Sequence, residues 1–278
     1  MDKSDRAQAE ANEHFQYVTG RMMYVQGDSE SPLQSCIDFV ASLVHYQLLH
    51  VLEKSEKHSI RKTKKTTLSL RSVLFVFRRN RLLLRRLLKL AETASSIQSL
   101  SKDGINSNES GSEAESEEEP DPIQNNKKFS GKLYKEISEA LSFIALDVES
   151  ETDPVMEQRQ KRLAERVAHF DMDEYERFSA ARACGFSNTT RGIKIMKKDM
   201  RTWLARSFDG SIEFVMAFLA KETVSCLVED ALAVREQEKS NWFKNEGNGN
   251  CLQQRHYEEA LRRNLGYRYR GDILFGYF

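Results

Sequence analysis

The chain has 278 residues, 40% hydrophobic and 30% charged, enough for one large domain or two small ones. Lys plus Arg and Asp plus Glu both total 42, a balance that argues against a general nucleic-acid binder. Only 4 prolines and 13 glycines are present, which favours long helices over a many-turned β fold. No stretch is expected to span a membrane. The most apolar one, Leu68 to Phe77, falls short of the ~20 residues a span needs and runs into Arg78, Arg79 and Arg81. The first residues lack the apolar core of a signal peptide, and Cys36, Cys184, Cys226 and Cys251 form no C-x-x-C pair. An intracellular, reduced protein is expected.

In chain order, Met1 to Ala11 reads as a frayed start, and Asn12 as the N-cap of a helix with Phe15, Val18, Met22 and Val25 on one face. The run Gly27 to Pro32 breaks it, and Ser31 is expected to cap the next helix with Pro32 in its first position. From Leu33 through Ile37, Val40, Val44, Leu48, Val51 and Leu52 the apolar spacing alternates near three and four, predicting one helix to about Ile60. A basic loop, Arg61 to Thr67, precedes a short helix lined by Leu70, Val73, Leu74 and Phe77, then a leucine-rich run from Leu82 to Leu90. Ser95 to Asn126 is rich in Ser and Glu, and such a composition cannot bury enough apolar area to offset the entropy of ordering. A helix with Leu133, Ile137, Leu141 and Ile144 on one face follows, then a charged helix from Met156 to Val167.

A second series begins at Asp171 or Asp173, either of which can cap a helix carrying Tyr175, Phe178 and Ala181. Ser187 to Gly210 reads as a long irregular connection containing Lys194, Lys197, Lys198 and Arg201 beside Trp203. A second long helix is predicted from Ser211 to Glu238, with Ile212, Val215, Met216, Leu219, Val224, Leu227, Val228, Ala231 and Val234 on its face. After a turn at Asn245 to Asn250, a short helix from His256 to Leu265 turns Tyr257, Ala260 and Leu261 inward. The tail from Gly266 has no clear period.

The same pattern, short helix, long helix, short helix, thus occurs twice. At 1.5 Å per residue each long helix is roughly 40 Å long. A compact unit of its copy's size is only about 30 Å across. Each copy therefore needs a partner to cover its apolar stripe, and the chain carries two.

This layout resembles a histone fold, in which two units pair head to tail with their long helices crossing. Tyr17 to Gly27, ending Met22-Met23-Tyr24-Val25-Gln26-Gly27, resembles the opening of the TFIID histone-fold subunits and their SAGA relative. Phe75-Val76-Phe77-Arg78-Arg79-Asn80 resembles their third-helix motif, with Asn80 where the family usually has an acid. Asp173-Glu174-Tyr175-Glu176-Arg177-Phe178-Ser179 with Arg182, then Phe218 to Val224, then Arg255 to Ala260, resemble the second fold of the SAGA subunit of the suppressor-of-Ty class.

The resemblance implies an all-α protein of two histone folds paired intramolecularly, joined by a disordered acidic linker and extra helices. The expected divisions are a disordered N-terminus over 1–10, a first histone fold with its C-terminal helix over 11–94, and an acidic disordered linker over 95–126. Connecting helices over 127–170, a second histone fold over 171–265 and a tail over 266–278 complete it. The implied function is a non-catalytic, nuclear coactivator subunit of SAGA type that binds TBP and neighbouring subunits in RNA polymerase II initiation. A TFIID-type or other chromatin subunit, with folds pairing to separate chains, stays open.

Three groups of residues stand out as candidate sites. Glu222 and Glu229 are close to two helical turns apart and, with Asp230, offer carboxylates to a basic partner; TBP is the one the resemblance implies. A solvated face is the plainer reading. Reversing the Glu222 charge is expected to weaken TBP binding without changing thermal stability. Arg61, Lys62, Lys64, Lys65, Arg78 and Arg79 form a possible phosphate-facing patch, although zero net charge and the acidic linker favour weak or no direct DNA binding. No H-E-x-x-H occurs, His45 and His50 do not share a face, and no nucleophile–base–orienter set is visible. No metal, cofactor, small-molecule substrate or enzymatic activity is expected.

Overall fold

The computed structural model describes residues 3–63, 68–106, 133–143, 152–186, 200–240 and 251–275. These residues are helical with no strand among them. The helices are α1 (Lys3–Gln26), α2 (Gln34–Thr63), α3 (Leu70–Val76), α4 (Arg81–Asn106), α5 (133–141), α6 (Pro154–Val167), α7 (Met172–Ala183), α8 (Met200–Leu204), α9 (Gly210–Ser240), α10 (Gln254–Arg263) and α11 (Leu265–Arg270), with a 3-10 turn at Ile273–Phe275. They form two compact units, one of residues 1–54 and 153–278, the other of 55–152.

In the larger unit α9 is the central element. All nine face residues predicted for it are buried. So are Ala217, Phe218, Ala220, Thr223 and Cys226, because α1, α10 and the turn at Ile273–Phe275 pack against α9. The stripe of α2 is likewise covered at Cys36, Val40, Val44, Leu48, Val51 and Leu52. Elements of the first copy, α1 and the start of α2, thus lie in one core with α7 to α11 of the second. Elements of both copies therefore share this core.

Several boundaries differ from expectation. The segment 1–10 is not disordered throughout: α1 begins at Lys3, stabilised by an Arg6–Glu10 pair one turn apart and by burial of Ala11. Gly27 ends α1 at φ +124°, where its N–H reaches the Tyr24 carbonyl (3.1 Å) and that of Asp28 the Met23 carbonyl (3.1 Å). Ser31 does not cap α2. The helix starts at Gln34, and the Leu33 carbonyl takes the N–H groups of Cys36 and Ile37 at 2.9 and 3.0 Å. Asp171 is the cap of α7, in a reciprocal capping box with Glu174. Phe178 and Ala181 point inward as expected, whereas Tyr175 is 48% exposed.

The connection read as irregular contains α8, whose Met200, Trp203 and Leu204 are buried; 187–199, with Lys194, Lys197 and Lys198, lie outside the described residues. Helical structure also continues past 265. Asn264 caps α11 through the Tyr267 N–H (2.9 Å), Gly271 ends it at φ +70°, and Ile273 and Leu274 are buried. One stretch, Gln34–Lys62, does reach the length and mean hydropathy (1.3) of a membrane span, contrary to expectation, and half of its most apolar window is buried inside the protein.

In the smaller unit Ser69 caps α3 through the Ser72 N–H (3.2 Å), and Val73, Leu74 and Phe77 are buried. Asn80 caps α4: its Oδ1 takes the Leu83 N–H at 2.8 Å, so the amide does local work where the family usually has an acid. α4 then continues to Asn106, into the segment read as linker. Thr93 and Ser96 fit the helix because their hydroxyls donate to the carbonyls of Lys89 and Glu92 (2.8 and 3.1 Å). The rest of that linker, 107–126, and the turn Asn245 to Asn250 lie outside the described residues, as does Ile144. Leu133, Ile137 and Leu141 of α5 are buried as predicted.

Candidate interaction surfaces

The two folds are joined by buried polar contacts as well as by apolar packing. Asp28, in the turn after α1, is 2% exposed. Its Oδ1 accepts the N–H groups of Ser29 (2.8 Å) and Leu252 (2.9 Å), and its Oδ2 accepts the Tyr257 hydroxyl (3.1 Å). A first-fold carboxylate thereby fixes the start of α10 in the second. Burial, with Asp28 adjacent, pushes the Tyr257 hydroxyl far above the usual tyrosine pKa, so it stays a donor. Burial also pushes the nearby Cys36 thiol up to about 11.

On the other side of the pair, the Trp203 ring stacks on Phe15 (4.4 Å between centroids). The Trp203 carbonyl accepts from Gln8 Nε2 at 2.8 Å and lies 3.0 Å from His45 Nε2. Gln47 of α2 donates to the Gly271 carbonyl (2.7 Å) and accepts the Ile273 N–H (3.1 Å), and Lys54 pairs with Asp272. Sequence spacing singled out none of these pairs, because the partners lie far apart in the chain and several of them are backbone groups.

Glu222 and Glu229 share one face of α9, as their spacing predicts, but they do not stand free for a partner. Arg159 of α6 reaches both: Nη1 to Glu222 Oε2 at 2.9 Å and Nε to Glu229 Oε1 at 2.8 Å. Arg162 adds a contact of 2.7 Å to Glu229. The side chains of Arg159 and Glu222 are only 10% and 6% exposed. Burial works to lower the Arg159 pKa, and the two carboxylates outweigh it and raise it. Beneath them burial pushes the Cys226 thiol up to about 12, which leaves it an inert core group. Asp230 is half-buried beside this network. The expectation that Glu222 can be reversed without cost to stability is therefore corrected, since a lysine there would face Arg159.

The rest of the hold on α6 comes from its C-terminal half. None of its residues is buried. Leu163 and Val167 rest, half-buried, on the cluster of Tyr24, Phe178 and Ala181, and Arg166 donates to the carbonyls of Tyr24 (2.5 Å) and Asp28 (3.4 Å). The recurrence of arginine at 159, 162 and 166, one helix face, was the available signal for this docking.

In the smaller unit, Arg61 and Lys62 lie in the last turn of α2, and Arg78 and Arg79 follow α3; all four are exposed. Lys64 and Lys65 lie outside the described residues. His58 stacks on Phe75 (4.0 Å), and the Arg78 guanidinium sits 4.2 Å from that ring's centroid. Burial, and then the charges of Lys62, Arg78 and Arg61, lower the His58 pKa, so these cations do converge on one place. Among the described residues no three His, Cys, Asp or Glu side chains gather as a metal-ligand set.

Residues 13–105, covering most of α1 and all of α2 to α3 with nearly all of α4, match the family described as Transcription initiation factor IID, 18kD subunit. Residues 165–263, from the end of α6 through α10, match the family described as hTAFII28-like protein conserved region. No curated protein matches the chain. The two matches coincide with the two copies of the helical pattern and are consistent with transcription initiation factor subunits in general. Two regions of the chain thus match histone-fold families of TFIID subunits, residues 13–105 that of the 18 kDa subunit and residues 165–263 the TAFII28-like one.

Proposed function

We propose that this protein is a non-catalytic, nuclear transcription coactivator subunit of SAGA type, binding TBP and neighbouring subunits to regulate RNA polymerase II initiation. Intrachain pairing is the observation that favours it. Leu252, Tyr257 and Trp203 of the second fold supply what Asp28, Gln8 and Phe15 of the first require. A subunit whose folds pair with separate chains would need those partners from outside. The resemblance of the second fold to the suppressor-of-Ty class points the same way. The mechanism is presentation: a rigid helical pair holds TBP and so affects its delivery to promoters. The carboxylates of Glu222 and Glu229 serve a basic partner only after α6 gives up Arg159, so a TBP contact there includes displacement of that helix.

The two family matches support a TFIID-type subunit equally well, and two measurements separate the readings. Size-exclusion chromatography with light scattering of the isolated chain is expected to give a monomer; a dimer or aggregate would favour outward pairing. Affinity capture from nuclear extract is expected to recover TBP with SAGA-type subunits. Recovery of TFIID subunits alone would sink the SAGA assignment, and failure of purified TBP to bind the full chain would sink the TBP one.

A further inference from the structure

Zero net charge conceals a strong local imbalance in the first part of the smaller unit, residues 55–94. Between Ser55 and Ala94 the only acids are Glu56 and Glu92, while lysine and arginine recur throughout. Arg61 and Lys62 end α2, and Arg78, Arg79 and Arg81 lie at the turn into α4; all five are exposed, and none makes an ion pair among the described residues. Holding these cations together costs electrostatic energy that only an anion can recover. In their midst, the His58 Nδ1 is buried and has no hydrogen-bond partner.

The composition of this surface indicates what kind of polyanion it fits. A protein partner wants an apolar or aromatic anchor at the centre of its interface. Among the described residues of this unit the large apolar side chains exposed are Ile60 and Leu90, and the Phe75 ring is half-covered by His58 and Arg78. A nucleic-acid interface is instead polar and strongly positive. Four of the five cations are arginines, whose planar forks match phosphate oxygens two at a time. Among the described residues of this unit no aromatic side chain is fully exposed for stacking on an unpaired base, which disfavours a single strand.

We propose that Arg61, Lys62, Arg78, Arg79 and Arg81 form a docking surface for the phosphate backbone of duplex DNA, without base specificity. It is separate from any TBP contact, and its affinity is high only at low salt.

The test is fluorescence anisotropy of the full chain with a labelled random-sequence duplex over a series of KCl concentrations. Each neutralised phosphate contributes about −0.9 to the slope of log K against log salt, so four or five contacts give a slope of about −4. Arg78→Ala with Arg79→Ala is expected to bring it to about −2, whereas Arg78→Lys with Arg79→Lys keeps it. Both positions are exposed, so thermal melting of the variants confirms an intact fold. Lys62, Arg78 and Arg61 are the charged groups acting on His58, and bound phosphate offsets them. Affinity should therefore rise from pH 7.5 to 6, and this rise should disappear in His58→Gln. No binding at 50 mM KCl, a slope near zero, or a double-alanine variant with unchanged slope would overturn the proposal. So would tighter binding of polyglutamate than of the duplex, which would mark the surface as one for an acidic protein.

Discussion

Replacing Arg159 by Met tests how α6 is held. The substitution preserves the length of the apolar stem and removes the guanidinium. Glu222, 5% exposed, loses that partner, while Glu229 keeps Arg162. Breaking a buried pair from one side costs about 3–5 kcal/mol, because the remaining charge stays desolvated. Since Arg162 still serves Glu229, the low end applies, about 3 kcal/mol. The companion Arg159→Met with Glu222→Gln removes both charges and should recover a large part of that loss, giving a coupling energy of about 1–3 kcal/mol. Urea unfolding followed by far-UV circular dichroism reads both numbers. A single variant within about 0.5 kcal/mol of the parent, or a double variant no better than the two singles added, would refute the buried-pair reasoning.

Other substitutions probe the pairing of the folds. Gly27→Ala combines a positive φ with a new Cβ 2.9 Å from Leu232 Cδ1, and should cost about 1–3 kcal/mol in the same unfolding experiment. Tyr257→Phe leaves one Asp28 oxygen without its 3.1 Å donor, for a loss of about 1–3 kcal/mol without a change in oligomeric state. Trp203→Ala removes the ring stacked on Phe15, and about 3–5 kcal/mol is expected from the cavity. His256 gives a pH dependence. Burial lowers its pKa, the Glu238 contact opposing, so the unfolded chain binds the proton more readily than the folded one. Its contribution is present above the unfolded value of about 6.5 and is lost as pH falls through the lower folded value. A plot of stability against pH should be shallower below 6.5 in His256→Gln; an unchanged slope would show that His256 is not the group responsible.

The long helices were legible because their period is redundant. Nine apolar positions of α9 agree on one face, so no single residue decides it. Short elements lack that redundancy. α8 has five residues and α11 six, too few for a period; α8 is anchored by the buried Trp203, and α11 is bounded by its Asn264 cap and Gly271. The start of α1 was missed for a related reason: its polar residues show no stripe, and its contacts, such as Gln8 with the Trp203 carbonyl, come from the far end of the chain. Tyr175 was misjudged because α7 buries only a narrow edge, and periodicity locates a face within about one residue. The carboxylates of α9 show the limit for sites. Spacing put Glu222 and Glu229 together, but whether they face water or Arg159 depends on how a different helix docks, and amphipathic pattern carries no information about that.

The Asp28 carboxylate meets the Leu252 N–H across 224 positions of sequence. A ribosome adding 5–20 residues per second needs roughly 10–45 s to cover that interval. Throughout it the emerging chain presents the apolar stripe of α2 and a carboxylate whose native neighbours do not yet exist. Closure waits for the last helices to leave the exit tunnel, which makes the nascent polypeptide, and not the finished protein, the species in need of a chaperone. A ribosome stalled before α10 releases a product that cannot complete its own core.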